Sequence, residues 1–228
     1  MRATGFAAVC TALLLLSGCS AEEKPAAPPA GDAAQLASAA GASTQKARSS
    51  KVSVETTADD GRKVMVTSSG LYEGPNSKFS MVAEVDGEKR DLIFSDGVLY
   101  YHLSEAQVLE LKTDKEWVKI SADGKDAVSA ANGKLMAGVV EAMDPTRTIE
   151  RISKSGKVTQ SAQADLNGTR TTHYTLELDG APAEVWLDAE QRPVQVSLGK
   201  ATVKYDSWAS DVVIIAPPPE AVGEPVSR

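Results

Sequence analysis

The sequence predicts an α+β chain built on a large antiparallel sheet. Three observations predict it. Short apolar-rich runs recur at close intervals, several of them separated by Asp-Gly or Asn-Gly pairs, which turn tightly because these residues tolerate positive φ. One long segment at 126–143 has helical rather than alternating periodicity. The order is strands, helices, strands, so the helices interrupt two meanders rather than alternating with parallel strands.

The elements follow in chain order. Residues 33–47 (AAQLASAAGASTQKA) are Ala-rich and helical, with Gly41 weakening the centre. The first meander starts at Lys51-Val52-Ser53-Val54-Glu55 and continues through 63–72, 78–85, 89–94 and 98–103. Its turns are Asp59-Asp60-Gly61, Asp86-Gly87 and Asp96-Gly97. In the helix at 126–143, Val128, Ala131, Leu135, Met136, Val139, Val140 and Met143 form one broad apolar stripe. Asp144-Pro145 ends it and opens a second short helix. Strands resume at 157–163, 169–178, 183–187, 194–198 and 201–208, punctuated by Asn167-Gly168 and Asp179-Gly180. In the turn after 187, Asp188 and Arg192 can satisfy backbone groups or pair with each other, while Pro193 fixes φ. From Ala216-Pro217-Pro218-Pro219 onward the chain is not expected to continue a sheet, because each proline removes a backbone donor.

The N-terminus reads as an export signal. Arg2 precedes an apolar run from Phe6 to Leu16, which is too short to span a bilayer. Leu-Ser-Gly-Cys, ending at Cys19, matches the bacterial lipobox. Residues 1–18 are then a cleaved signal peptide, and Cys19 carries a diacylglyceryl thioether as the new N-terminus. Two or three acyl chains anchor stably where one is marginal. The other cysteine, Cys10, leaves with the signal, so neither a disulfide nor a cysteine metal site is expected. Residues 19–32 form a flexible tether, 33–222 one domain and 223–228 a tail. The expected location is the extracytoplasmic face of the cell membrane, reached through the lipid anchor.

Lys and Arg number 24 against 31 Asp and Glu, for a net charge of -7. With no basic patch, nucleic acid is not an expected partner. The two histidines, His102 and His173, fall in separate strands, and no HExxH, GxSxG, phosphate-loop or EF-hand pattern is present. Asp59, Asp60, Asp123 and Asp126 read as turn and cap residues. The chain offers no enzyme signature, no cofactor motif and no metal-ligand set.

Several strands have apolar residues at adjacent positions: Val64-Met65-Val66, Leu92-Ile93-Phe94, and Val82 inside the run Phe79, Met81, Ala83, Val85. A sheet apolar on both faces must cover both, with more protein or with a ligand. Methionine adapts to varied shapes, so Met65, Met81, Met136 and Met143 suit a cavity as well as a core.

Along most of 33–219 the chain resembles the LppX/LprG family of bacterial lipoproteins, which share the LolA/LolB-like fold. The resemblance is carried by the lipobox and linker, by Asp96-Gly97-Val98-Leu99-Tyr100, and by Glu116-Trp117-Val118-Lys119. It continues through residues 171–179 and the hairpin Val185-Trp186-Leu187-Asp188 to Arg192-Pro193-Val194. It implies a half-open barrel with helices over its concave side, enclosing an apolar cavity that binds and transfers acylated lipids or glycolipids. The expected lining is Met65, Phe79, Met81, Leu92 and Phe94 from the sheet. From the helical stripe it is Val128, Leu135, Met136, Val139, Val140 and Met143. Tryptophan at 139 or 140 is then expected to block lipid loading. The alternative is an interaction or sensing module of the envelope, on the same fold and without lipid cargo.

Overall fold

A computed structural model describes residues 31–223. The signal peptide, Cys19 and nearly all of the expected tether lie outside the described residues. Among the described residues, four helices and a mostly antiparallel, curved but unclosed sheet of 12 strands make up the fold. Helix α1 (Ala33–Ala47) starts at Asp32, whose carboxylate accepts the Gln35 N–H at 2.8 Å. The first meander is β1 (Ser49–Thr57), β2 (Lys63–Leu71), β3 (Lys78–Val85), β4 (Glu88–Ser95), β5 (Val98–His102) and β6 (Trp117–Ile120). Helix α2 (Glu105–Leu111) lies between β5 and β6. Helices α3 (Ala127–Met143) and α4 (Pro145–Ser155) follow. The second meander is β7 (Gly156–Leu166), β8 (Thr169–Leu178), β9 (Ala181–Leu187), β10 (Pro193–Leu198) and β11 (Ala201–Asp206).

One seam joins the two meanders into a single sheet: β1 and β11 pair antiparallel, with Val54 opposite Val203. The strand order is β12-β6-β5-β4-β3-β2-β1-β11-β10-β9-β8-β7. The last member, β12 (Val222–Gly223), adds parallel to β6, with Val222 opposite Trp117. This corrects the expectation that the sheet ends before the prolines. Their lost donors fall in the connection and in the 3-10 turn at Pro219–Ala221, and the two paired residues are not prolines. Among the described residues no helix is long and apolar enough to cross a membrane.

The strands alternate more cleanly than their composition suggests. Val64 and Val66 are 2% and 0% exposed, whereas Met65 between them is 51% exposed on the opposite face. Leu92 is buried and Ile93 is turned away from it; Phe79, Met81 and Ala83 are buried, while Val82 is 38% exposed. The sheet therefore has one core face, and the expectation of two apolar faces fails at these positions. Met65 sits opposite Glu55 and Glu84, on the side turned away from the core. It does not belong to a lining shared with Phe79 and Met81.

The hairpin chemistry appears as local geometry. Asp86-Gly87, Asp96-Gly97, Asn167-Gly168 and Asp179-Gly180 all have positive φ at both positions. At the β9–β10 turn, Asp188 does both things open to it. Its Oδ1 accepts the N–H groups of Glu190 (2.9 Å) and Arg192 (2.8 Å), and its Oδ2 accepts the Arg192 guanidinium.

Candidate functional site: the grooves beside α3

The helices divide the core face unequally. Helices α1 and α4 pack on each other and cover part of the second meander. There Leu36, Ala37 and Ala40 meet Ile152, Val185 and Val196 around a void of about 10 Å³. That is barely one water, so the side chains fill this contact. Helix α3 reaches across β1, β11 and β6. A helix is about 10–12 Å wide with its side chains, whereas six strands at about 4.8 Å spacing span roughly 24 Å. A single helix leaves space on both flanks.

Both flanks are grooves. One, of about 430 Å³, lies between α3 and the β1–β2 hairpin. Its walls are Val54 and Ala58 from the hairpin, Ala201 from β11, and Ala130, Ala131, Leu135, Gly138, Val139 and Ala142 from α3. The other, of about 220 Å³, lies between α3 and β3–β5, with Ala83, Leu92, Tyr101 and Met136 among its walls. Arg62 lines both.

Local sequence fixes this arrangement. Asp126 caps α3, its Oδ1 accepting the N–H groups of Val128 (3.1 Å) and Ser129 (2.8 Å). The Ser129 hydroxyl accepts the Ser121 N–H at 3.2 Å. Gly133 lets α3 lie against the segment after β6, because a Cβ there would come within 2.0 Å of the Ser121 carbonyl oxygen. At the far end Asp144 closes α3 and caps α4, its Oδ1 accepting from the Thr146 N–H (2.9 Å) and hydroxyl (2.6 Å). Gly138 differs from Gly133: a Cβ at 138 would meet nothing within 4 Å. The helix passes the larger groove with its thinnest residue.

The two ends of the first meander contrast. At the end away from the β1–β2 hairpin, Tyr72, Phe79, Phe94, Tyr205 and Trp208 interlock with ring centroids 5.7–6.2 Å apart. The Tyr72 and Tyr205 hydroxyls are buried, which pushes both well above the usual phenol range, and the nearby Asp144 charge pushes them further. Tyr72 shares a hydrogen bond with Ser50, and Tyr205 donates to the Ala142 carbonyl at 3.4 Å. The hairpin end is charged. Asp60 accepts the Arg62 N–H (3.1 Å) and Nε–H (2.7 Å), which hold its carboxyl below the usual range. Asp59 lies 3.6 Å from Lys200, and Arg90 3.1 Å from Glu88.

The expected lining separates into three groups. Leu135 and Val139 reach the larger groove, and Leu92 and Met136 the smaller. Phe79, Met81, Phe94, Val128, Val140 and Met143 pack in or against the core and form neither groove wall. Met65 is on the opposite face. Val139 and Val140 are 3% and 5% exposed, so tryptophan there would overpack the core, at about 1–3 kcal/mol, instead of only plugging a groove. Sequence reading placed Ala131 in the apolar stripe but not in the lining, and missed the small residues Ala130, Gly138 and Ala142. Their signal is the run of Ala and Gly along one flank of α3, beside the apolar stripe.

His102 and His173 lie on β5 and β8, separated by seven strands of the sheet. Each packs on a cross-strand tryptophan, with centroids 4.7 Å from Trp117 and 4.3 Å from Trp186. Among the described residues, no three His, Cys, Asp or Glu side chains gather where a metal ion could be held.

No family model and no curated protein matches the chain. Among solved structures, it is similar to an uncharacterized conserved protein from Thermus thermophilus, at 11% identity and a TM-score of 0.44. The match covers 83% of this chain and 96% of the other.

Proposed function

We propose that the protein is a lipid-anchored carrier on the extracytoplasmic face of the cell membrane, with a LolA/LolB-like half-open barrel that binds acylated lipids and hands them on. Cys19 carries the anchoring diacylglycerol, and the body takes hydrophobic cargo from the surface it is tethered to. One observation carries the reading: the 430 Å³ groove between α3 and the β1–β2 hairpin, lined by aliphatic side chains along α3 and bordered by Thr56, Thr57 and four charged side chains. Its volume is within the range of sites that bury most of a small ligand, about 300–1,000 Å³. Burying ten methylenes there is worth about 8 kcal/mol before the cost of association.

Native mass spectrometry of the protein purified from its own membrane tests this. A co-purifying acyl lipid is expected. A ligand-free protein that also takes up no lipid from vesicles would sink it.

A second reading, an envelope interaction module without lipid cargo, is favoured by the filled core around Phe79, Met81 and Met143 and by the exposed Met65 and Val82 on the other face. Crosslinking in cells followed by pull-down of the tethered protein separates the two readings.

A further inference from the structure

The geometry points to a single-chain amphiphile with an anionic head as the ligand of the larger groove, with Lys134 as its counter-ion. This rests on the lipid-binding reading and narrows it. The larger groove, at about 430 Å³, has roughly twice the volume of the smaller, at about 220 Å³. Helix α3 lies between the two spaces. One acyl chain fills the larger groove, and the smaller is too short for a second chain of equal length.

The head is fixed by charge at the rim. Four charged side chains border the larger groove: Asp59, Asp60, Arg62 and Lys134. Asp59 lies 3.6 Å from Lys200, and Asp60 holds Arg62 at 2.7 Å. Lys134 is exposed on α3, one turn before Gly138, and has no acidic partner among the described residues. A chain lying along the Ala-lined flank of α3 can bring a carboxylate or phosphate to that ammonium while the head stays in water. The shared chemistry is one acyl chain and one anion, from a free fatty acid or from a lysophospholipid.

The test is native mass spectrometry of the full-length protein released from detergent after incubation with each of four probes. These are myristate, 1-myristoyl-lysophosphatidylglycerol, neutral monomyristoylglycerol and dimyristoylphosphatidylglycerol. One molecule of myristate, of the lysophospholipid, or of each in turn is expected to bind, and the tighter of the two identifies the source of the anion. Lys134→Gln should weaken the anionic probes by about fivefold, the worth of one rim ion pair, and leave the neutral probe unchanged. Tighter binding of the two-chain lipid overturns the single-chain assignment while leaving the carrier reading standing. An equal loss for charged and neutral probes, or no loss, overturns the role of Lys134. Failure of all four probes removes the carrier reading with it.

Discussion

Gly138→Leu separates the groove from the fold. Gly138 is inside α3, where glycine costs about 0.8–1.0 kcal/mol relative to alanine and leucine ranks close to alanine. Nothing within 4 Å opposes the added Cβ, so the substitution is expected to stabilise the protein by about 0.5–1 kcal/mol. In a chain of this size that raises Tm by roughly 1–4 °C. The same four carbons occupy part of the 430 Å³ groove. Stability and lipid uptake should therefore move in opposite directions. Thermal unfolding by circular dichroism reads the first, and uptake of a fluorescent fatty acid reads the second. A core-packing role for this flank would give the reverse stability result, because leucine would then overpack. A variant that is more stable and takes up lipid like the parent would refute the assignment of this groove as the binding site.

Three other substitutions probe the frame. Asp188→Ala removes the acceptor of two turn N–H groups and the nearer carboxylate partner of Arg192, which keeps Glu190 at 3.3 Å; a loss of about 1–3 kcal/mol is expected in urea unfolding at unchanged m-value. Met65→Gln, on the exposed side of β2, should change stability by less than about 0.5 kcal/mol and leave lipid uptake at the parent level; a large loss would mean that this face is covered in the working protein. The Ser155 hydroxyl, then Arg151, hold the Asp179 carboxyl below its ordinary value of 3.8. A carboxyl with a lowered folded value stabilises above its ordinary value and loses that contribution as pH falls through the folded one. Parent and Asp179→Asn should therefore differ at neutral pH and converge as pH falls below the ordinary value of 3.8 in acid-unfolding curves; a constant difference across that window would deny the carboxylate its role.

Much of the framework was legible because it is written in local chemistry. The helix at 33–47 and the positive-φ pairs at 86–87, 96–97, 167–168 and 179–180 depend on a few adjacent residues, and they occur where those residues stand. Helix α2 was overlooked although Ser104 and Gln107 form a complete capping box; at seven residues it has too little periodicity to stand out. Val64-Met65-Val66 misled for a different reason. Three apolar residues in a row suggest two buried faces, but only the face of Val64 and Val66 is covered, and Met65 shares the open face with Glu55 and Glu84 on the two neighbouring strands. The groove is less legible still. It follows from one helix crossing more strands than it can cover, and no window of sequence contains both the helix and the strands.

The seam between the meanders has a kinetic consequence. Lys204 and Glu55, which bridge β11 and β1 at 3.1 Å, are 149 positions apart. Closing a loop of that length costs about 4 kcal/mol of chain entropy, and nothing repays it until β11 is available. Strands β1 to β5 of the first meander can zip one after another as they are made, since their connections are short. The second cannot dock until almost the whole polypeptide exists. In a chain exported as proposed, the sheet acquires its final pairing only when the last quarter has emerged.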